Sequence, residues 1–398
     1  MVKGEAMNKT INLNLEKIPN ELMLMLELIS VNNKEHISEG NYKNIDWDLF
    51  FQLALHHRLY PLLSIKIAKF NCPWIPSDVS KSLTTYYRNN TFQMLHLCGV
   101  MEKVSQLFAE NDIRSLFLKG PILAEDLYGD ISMRTCGDLD ILIPLNDLQR
   151  ADDLLVGLGY EKNEYIKTVL NDWKWRHHHF TYYHPNEGTK IEIHWRLNPS
   201  PSTEPAFEKL WERRRKTALV SSPTFYLGQE DLFFFLVTHG ARHGWSRLRW
   251  LLDIHKMVQT DIYWQDVKRR LKKYQCDFIG GQSLILSSQL FNTILPKDIQ
   301  SLVFQKNSVR LAQETIFYLE GMVNLHNAPL PKEVSKYHEK YLLSIMSFKQ
   351  KVLYTLSVLH PYYMDAETLP LPKRLHFLYF PLRPFLWFWR KTRKHALP

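Results

Sequence analysis

The 398-residue sequence has only four cysteines, Cys72, Cys98, Cys136 and Cys276, and no C-x-x-C pair among them. That spacing argues against a zinc ribbon and against a disulfide framework, and reduced, mostly buried thiols are the expectation. Also missing is any run of the roughly 20 apolar residues that a membrane-spanning helix needs. The opening stretch MVKGEAMNKTINLNLEK has no apolar signal-peptide core, so a cytoplasmic protein is expected. No internal repeat and no low-complexity tract occurs, and 45% hydrophobic with 23% charged residues is a globular composition. Acids fall short of bases, 41 Asp and Glu against 50 Lys and Arg, for a net charge of +9. The imbalance suits polyanionic partners such as nucleotides, nucleic acid or anionic lipid and selects none of them. Nucleic acid rests on charge alone, because no recognised RNA-binding motif accompanies it.

What is present is ordered by pattern. From Glu21 to about Phe108, segments such as NELMLMLELIS and SDVSKSLTTYYRNNTFQMLHLCGVMEKVSQLF repeat apolar residues at i, i+3 and i+4, which predicts helices. Ser77 and Asp78 after Pro76 mark a helix start. From Ile113 the texture changes: RSLFLKG reads as a short strand, PILAEDLYGD as a helix opened by proline, and DLDILIP as a second strand. LNDLQRADDLLVGLGY then reads as a helix closed by Gly159, and HHFTYYHP and TKIEIHWRL as strands joined across Asn186, Glu187 and Gly188. This alternation predicts an α/β or α+β domain with one mixed sheet. The linker LNPSPSTEP ends it, a short arm follows near Thr224, and from QEDLFFFLVTHGARHGW onward the pattern is helical again. The expected division is a helical region over 1–108, a core over 109–222 and a helical domain over 223–398.

Within DLDILIP, strand alternation puts Asp138 and Asp140 on one face while Leu139 and Ile141 face an apolar core. Two like charges about 7 Å apart repel, and Asp is disfavoured in strands, so the pair costs stability unless a cation fills the gap or the strand end is solvated. Magnesium takes one or two carboxylates together with phosphate oxygens and water, which this face can offer. TKIEIHWRL places a third carboxylate, Glu192, between Ile191 and Ile193 in another alternating segment. Three acids on adjacent strands can hold two cations for in-line displacement at phosphorus. Lys119 and Gly120 stand at a strand-to-helix junction, where free N–H groups and the helix dipole favour a phosphate.

The run L-K-G, a helix ending in Y-G-D, R-x-x-G-D-L-D-I-L-I and then I-E-I-H-W from Ile191 resembles the nucleotidyltransferase superfamily of the DNA polymerase β fold. More narrowly it is similar to a bacterial branch of uncharacterised nucleotidyltransferases; HGARHGWSRLRWLLDIHKM, LALHHRLYPLL and the tail PLPKRLHFLYFPLRP extend the likeness over most of the chain. The resemblance implies an α/β (α+β) polymerase-β-like core with a mixed sheet, flanked by N-terminal and C-terminal helical regions. It implies a metal-dependent transfer of a nucleoside monophosphate from an NTP to a hydroxyl or phosphate acceptor, with Mg2+ or Mn2+ held by Asp138, Asp140 and Glu192. Glu192 would be ligand or general base. One departure stands out: the superfamily's Gly-Ser phosphate turn is here Lys119-Gly120-Pro121. Phosphate binding would therefore fall to Lys119, Gly120, Arg134 and backbone amides, with γ-phosphate or pyrophosphate transfer, or a non-catalytic binding role, as alternatives.

Arg134 precedes the acids by four residues and would either reach an oxyanion near the metals or pair with Asp130 or a nearby acid. His194 shares Glu192's face and would orient it, contact nucleotide or serve structure. KWRHHHFTYYHP invites zinc, but consecutive strand histidines point to opposite faces, which leaves one inward ring, His177 or His179, as a phosphate contact. His239 and His243 sit one turn apart with Asp253 beyond, and packing of the helical domain against the site is their expected role. Arg242, Arg247 and Arg249 form either a basic wall towards substrate or a solvated helix face. The aromatic and basic tail LHFLYFPLRPFLWFWRKTRK suits a membrane headgroup layer. Docking on the protein's own domain is the favoured reading, because Pro381 and Pro384 should break a long surface helix.

Overall fold

Residues 11–31, 42, 44–70, 72–326 and 329–394 are described by the structure, a computed structural model. Helices α1 (Asn20–Ser30), α2 (Trp47–His56) and α3 (Tyr60–Phe70) lead into the 34-residue α4 (Ser77–Glu110). Asp46 caps α2 by accepting from the amides of Asp48 and Leu49, and α4 begins at the Ser77 that follows Pro76. The C-terminal half of α4 buries Met94, Leu97, Met101, Val104 and Phe108, a three-four spacing that lays one continuous stripe on the sheet.

That sheet contains β1 (Leu116–Phe117), β2 (Leu139–Leu142), β3 (Glu161–Lys162), β4 (His179–Tyr183), β5 (Lys190–His194), β6 (Arg215–Lys216) and β7 (Phe225–Tyr226). The order is β3-β4-β5-β2-β1-β7-β6, with β2–β5 and β1–β7 parallel and the other pairs antiparallel. It is thus the mixed sheet that the alternating pattern predicts, and the arm near Thr224 extends it. Between the strands lie α5 (Pro121–Tyr128), α6 (Leu148–Gly157), α7 (Trp173–Arg176) and α8 (Phe207–Glu212).

The two faces of the sheet read out the strand alternation. Phe117, Leu139, Ile141, Ile191 and Ile193 pack under α4 and α6, while Leu116, Leu118 and Leu142 belong to a second apolar core on the opposite side. Asp140 shares a face with Leu142, so the second side is apolar at one end and carboxylate-bearing at the other.

The C-terminal half is helical: α9 (Gln229–Arg242), α10 (Leu248–Val258), α11 (Trp264–Lys273), α12 (Asp277–Phe291), α13 (Gln300–Val303) and α14 (Lys306–Glu320), then α15 (Lys332–Ile345), α16 (Phe348–Leu359), α17 (Tyr363–Thr368) and α18 (Tyr379–Lys394). Helices α9 to α14 share one apolar core with α1 to α3, as Leu22, Leu63, Phe233 and Leu284 show. Hydrogen bonds from the Asn14 amide to Gln313 (2.8 Å) and from Gln313 to the Asn14 carbonyl (3.1 Å) fasten the two ends. None of the described helices is long and apolar enough to cross a membrane.

The tail departs from expectation. Prolines 381 and 384 do not break α18, which runs from Tyr379 to Lys394 with Pro384 inside it. Pro381 lies in the first turn, where its missing N–H has no intrahelical partner to lose, and Pro384 forgoes only the bond to the Phe380 carbonyl. Its aromatics divide: Tyr379 is fully buried and donates to the Leu369 carbonyl, as docking on the domain predicts, whereas Phe380, Phe385, Trp387 and Phe388 are exposed.

Candidate active site

Strands β2 and β5 run side by side and parallel, with Asp140 opposite Glu192 and Leu142 opposite His194. Leu139 and Ile141 are fully buried on the far face and anchor the strand, so the Asp140 carboxylate is fixed by the core behind it. Asp138 stands one residue before β2, nearer the rim. On β5 the same alternation puts Lys190, Glu192 and His194 on one side.

These groups form a continuous network. Lys119 Nζ lies 3.1 Å from Asp140 Oδ1, and His194 Nε2 lies 3.2 Å from the same oxygen and 3.6 Å from Glu192 Oε2. Lys190 Nζ bridges Glu192 Oε1 at 2.5 Å and Asp138 Oδ2 at 3.4 Å. His179 Nε2 sits 3.7 Å from Glu192 Oε2. Burial works against ionisation of Asp140, but Lys119 and the His194 hydrogen bond overcome it and hold the carboxyl below its usual range. Glu192 is likewise lowered, against burial, by His194, His179 and Lys190. Asp138 goes the other way: burial first, then the neighbouring Asp140, raise it. His194 is raised despite burial, because Asp140 and Glu192 both accept from it.

The network lines a cavity of about 750 Å³. Its opposite wall comes from the helical parts: Arg58, His239, Arg242, His243, Arg247, Arg249 and His326. Arg242 Nη1 lies 3.3 Å from His178 Nε2, and Arg249 Nη1 donates to the Thr135 carbonyl and hydroxyl. The Nε atoms of Arg242 and Arg249 are buried without a hydrogen-bond partner among the described residues. Burial lowers Arg242, Arg247 and Arg249 to about 10, which leaves all three cationic at neutral pH. Burial also pushes His239 and His243 well below the usual imidazole range, so both are neutral. Six cationic side chains, Arg58, Lys119, Lys190, Arg242, Arg247 and Arg249, thus face three carboxylates. An excess of that sign is fitted to a polyanion.

Of the residues singled out in the sequence, Asp138, Asp140, Glu192, Lys119 and His194 converge, and two do not join them. Gly120 is absent from the cavity lining; at φ 98° it turns the chain into α5, and a Cβ there would lie 3.1 Å from Leu139 Cδ2. The glycine thus lets the turn pack closely against β2. Arg134 is buried and spends its fork on Asp253 of α10, with Nε and Nη2 each 2.9 Å from a carboxylate oxygen. Tyr128 donates to the same Asp253 at 2.8 Å. Its partner is Asp253 rather than Asp130, and the pair bolts the sheet to the helical domain.

The histidines do not sit as strand alternation predicts. His178 precedes β4, so alternation does not govern it, and His178, His179 and His194 bring ring nitrogens within 4.8 Å of one another. His177 lies outside the cavity lining. Lys190 was overlooked, although it stands two residues before Glu192 and the period of two already placed it on the carboxylate face.

A second convergent set, Asp140, Glu192 and His194, offers ligand atoms that all lie within 4.8 Å of one another. Asp140 Oδ2 is buried with no hydrogen-bond partner among the described residues. An ionised carboxylate oxygen left bare in a buried place is costly, and a divalent cation would satisfy it. The donor set therefore fits such an ion.

A family model described as uncharacterised nucleotidyltransferase matches residues 43–292, well over half of the chain. No curated protein and no solved structure matches it.

Proposed function

The chain belongs to the uncharacterised nucleotidyltransferase family, and from that premise we propose a divalent-cation-dependent transfer of a nucleoside monophosphate from an NTP to a hydroxyl or phosphate acceptor, with release of pyrophosphate. The observation that carries the reading is the register of two parallel strands, which sets Asp140 against Glu192 in a cavity whose other wall is cationic. In this reading the sheet is a polymerase-β-like core, residues 109–222 carry the chemistry, and the helical regions over 1–108 and 223–398 complete the substrate cavity.

Asp138, Asp140 and Glu192, with His194 beside them, would hold magnesium or manganese. Such an ion supplies charge neutralisation at the triphosphate and lowers the pKa of an attacking hydroxyl. The protein's own groups do the rest. Lys119, Arg242, Arg247 and Arg249 bind and orient the triphosphate, and their fixed charges stabilise the negative charge that builds on the transferred phosphoryl group. Glu192 is held ionised by His194, His179 and Lys190, which suits a ligand better than a proton acceptor. Arg134 positions rather than binds, by locking α10 and its arginines to the sheet.

The Lys119-Gly120-Pro121 turn, with no serine and with Gly120 off the cavity, keeps one rival in view: transfer of the γ-phosphate or of pyrophosphate. Incubation with ATP, GTP, CTP or UTP labelled at the α or γ position, plus magnesium and a small-molecule cell extract as acceptor source, separates the two. Label passing to a new product from the α position supports nucleotidyl transfer. Label passing only from the γ position would replace it with a kinase-like reaction.

A further inference from the structure

Helix α18 buries the aromatic Tyr379 at its start but leaves most of its other aromatics outside. A helix lying on a protein surface normally buries its apolar stripe and exposes its charges. Here Arg383 and Arg390 point inward, where their guanidinium groups lie 2.6 and 2.7 Å from the two oxygens of the fully buried Asp365. With those charges directed inward, Phe385 and Phe388 on the far side of the helix and Phe380 and Trp387 on its flank are exposed to solvent, and Phe385 is 73% exposed. Lys391 extends the same face, its ammonium 5.0 Å from the Trp387 ring centroid. The two ion pairs fix the rotation of the helix, so the outward aromatics follow from buried electrostatics rather than from a loose end.

Helix α16 shows the same inversion. Gln350 is its buried residue, whereas Val352, Leu356 and Leu359 are exposed and Phe348 is 83% exposed. A monomeric surface does not ordinarily leave so much apolar area open, and an occupant is called for.

Charge identifies the occupant. Between residues 346 and 398 there are nine Lys and Arg against two acids, which accounts for seven of the chain's nine net positive charges. Both acids are already matched, Asp365 by the two arginines and Glu367 by Lys167 at 2.6 Å. Lys349, Lys351, Lys373, Arg374 and Lys391 are exposed and have no carboxylate partner among the described residues. Aromatic side chains at the headgroup depth with flanking cations are the chemistry of peripheral binding to an anionic bilayer. We propose that α16 and α18 form a docking face for the surface of an anionic lipid membrane. No described helix is long enough to span, so the attachment is peripheral.

The full chain is tested by co-sedimentation with vesicles of phosphatidylcholine alone and of phosphatidylcholine with phosphatidylglycerol. Sedimentation with the anionic vesicles, weakened by salt and at least about tenfold stronger than with the neutral ones, is expected. A chain carrying Phe385→Ser, Trp387→Ser and Phe388→Ser, all exposed positions, should keep its melting temperature and lose the binding. Lys349→Glu with Lys351→Glu should weaken it by about tenfold or more. The proposal is overturned by absence of sedimentation, by equal binding to both vesicle types, or by a triple-serine chain that binds as before. A dimer that dissociates on the triple substitution, with no vesicle binding, would make this face a contact between two copies instead.

Discussion

Lys119 Nζ sits 3.1 Å from Asp140 Oδ1, beside the Asp140, Glu192 and His194 donors that fit a divalent cation. The lysine therefore serves as countercharge for a carboxylate that is almost wholly buried. Replacing it by Met leaves Asp140 with His194 alone. Lys119→Met should lower the stability of the metal-free protein by about 3 kcal/mol, and magnesium should recover more of that loss than it adds to the native chain. Urea melts with EDTA or with magnesium measure both, and an unchanged midpoint in EDTA would show that the contact has no energetic weight.

Arg134 and Asp253 tie the sheet to α10 through a bidentate pair with essentially no solvent exposure. Removing one partner strands the other, so Arg134→Met should cost about 3–5 kcal/mol. The double variant Arg134→Met with Asp253→Leu should recover part of that loss. If Arg134→Met instead melts like the native protein while its nucleotide affinity drops, the residue acts on substrate after all.

Arg247 lines the cavity and has no ion-pair partner among the described residues. A charged group already held in place and unpaired can be removed at little structural cost. Arg247→Ala should weaken calorimetric binding of a non-hydrolysable NTP by about 10- to 100-fold, the range of one charge-assisted hydrogen bond, with its melting temperature preserved. Equal affinities would show that the basic wall does not bind the triphosphate.

Several imidazoles are held neutral. Burial pushes His57, His239 and His243 well below 6.5, and His56, His255 and His326 to about 4. The unfolded chain takes up protons at these sites below pH 6.5, whereas the folded chain does not, so stability falls as pH drops from 6.5 towards 4. A histidine as enclosed as His57 contributes of the order of 1 kcal/mol per pH unit in that window. His194 opposes the trend: its raised pKa gives stability that is complete below 6.5 and fades as pH climbs through the folded value. The raised Asp138 and Glu204 carboxyls oppose it as well, but the six lowered imidazoles outnumber these three, and thermal melts of the ligand-free protein should show a lower midpoint at pH 5 than at pH 7.5. A flat profile contradicts this.

The carboxylate strands were legible in the sequence because alternation is local: Leu139, Ile141, Ile191 and Ile193 declare a buried face, and Asp140 and Glu192 can then only lie on the other. Their adjacency needed the parallel register, which no short-range pattern specifies. Arg134 was misplaced for the same reason, since its partner Asp253 lies 119 residues away and proximity in sequence favoured Asp130. The histidines misled because a strand rule was extended to His178, one residue outside the strand. Helix α18 was obscured by its prolines, whose cost depends on a helix start that only the structure fixes.

Asp140→Asn tests, with the least change of shape, whether the Asp140 and Glu192 carboxylates serve transfer from the α-phosphate of an NTP. Transfer of α-label to a new product is compared between native and variant chains at saturating magnesium, after matched melting curves establish that both are folded. A fall of at least about 100-fold is expected in the variant, the scale of losing one preorganised group at a phosphoryl-transfer centre. Transfer that survives at the native rate in a folded Asp140→Asn chain would contradict it.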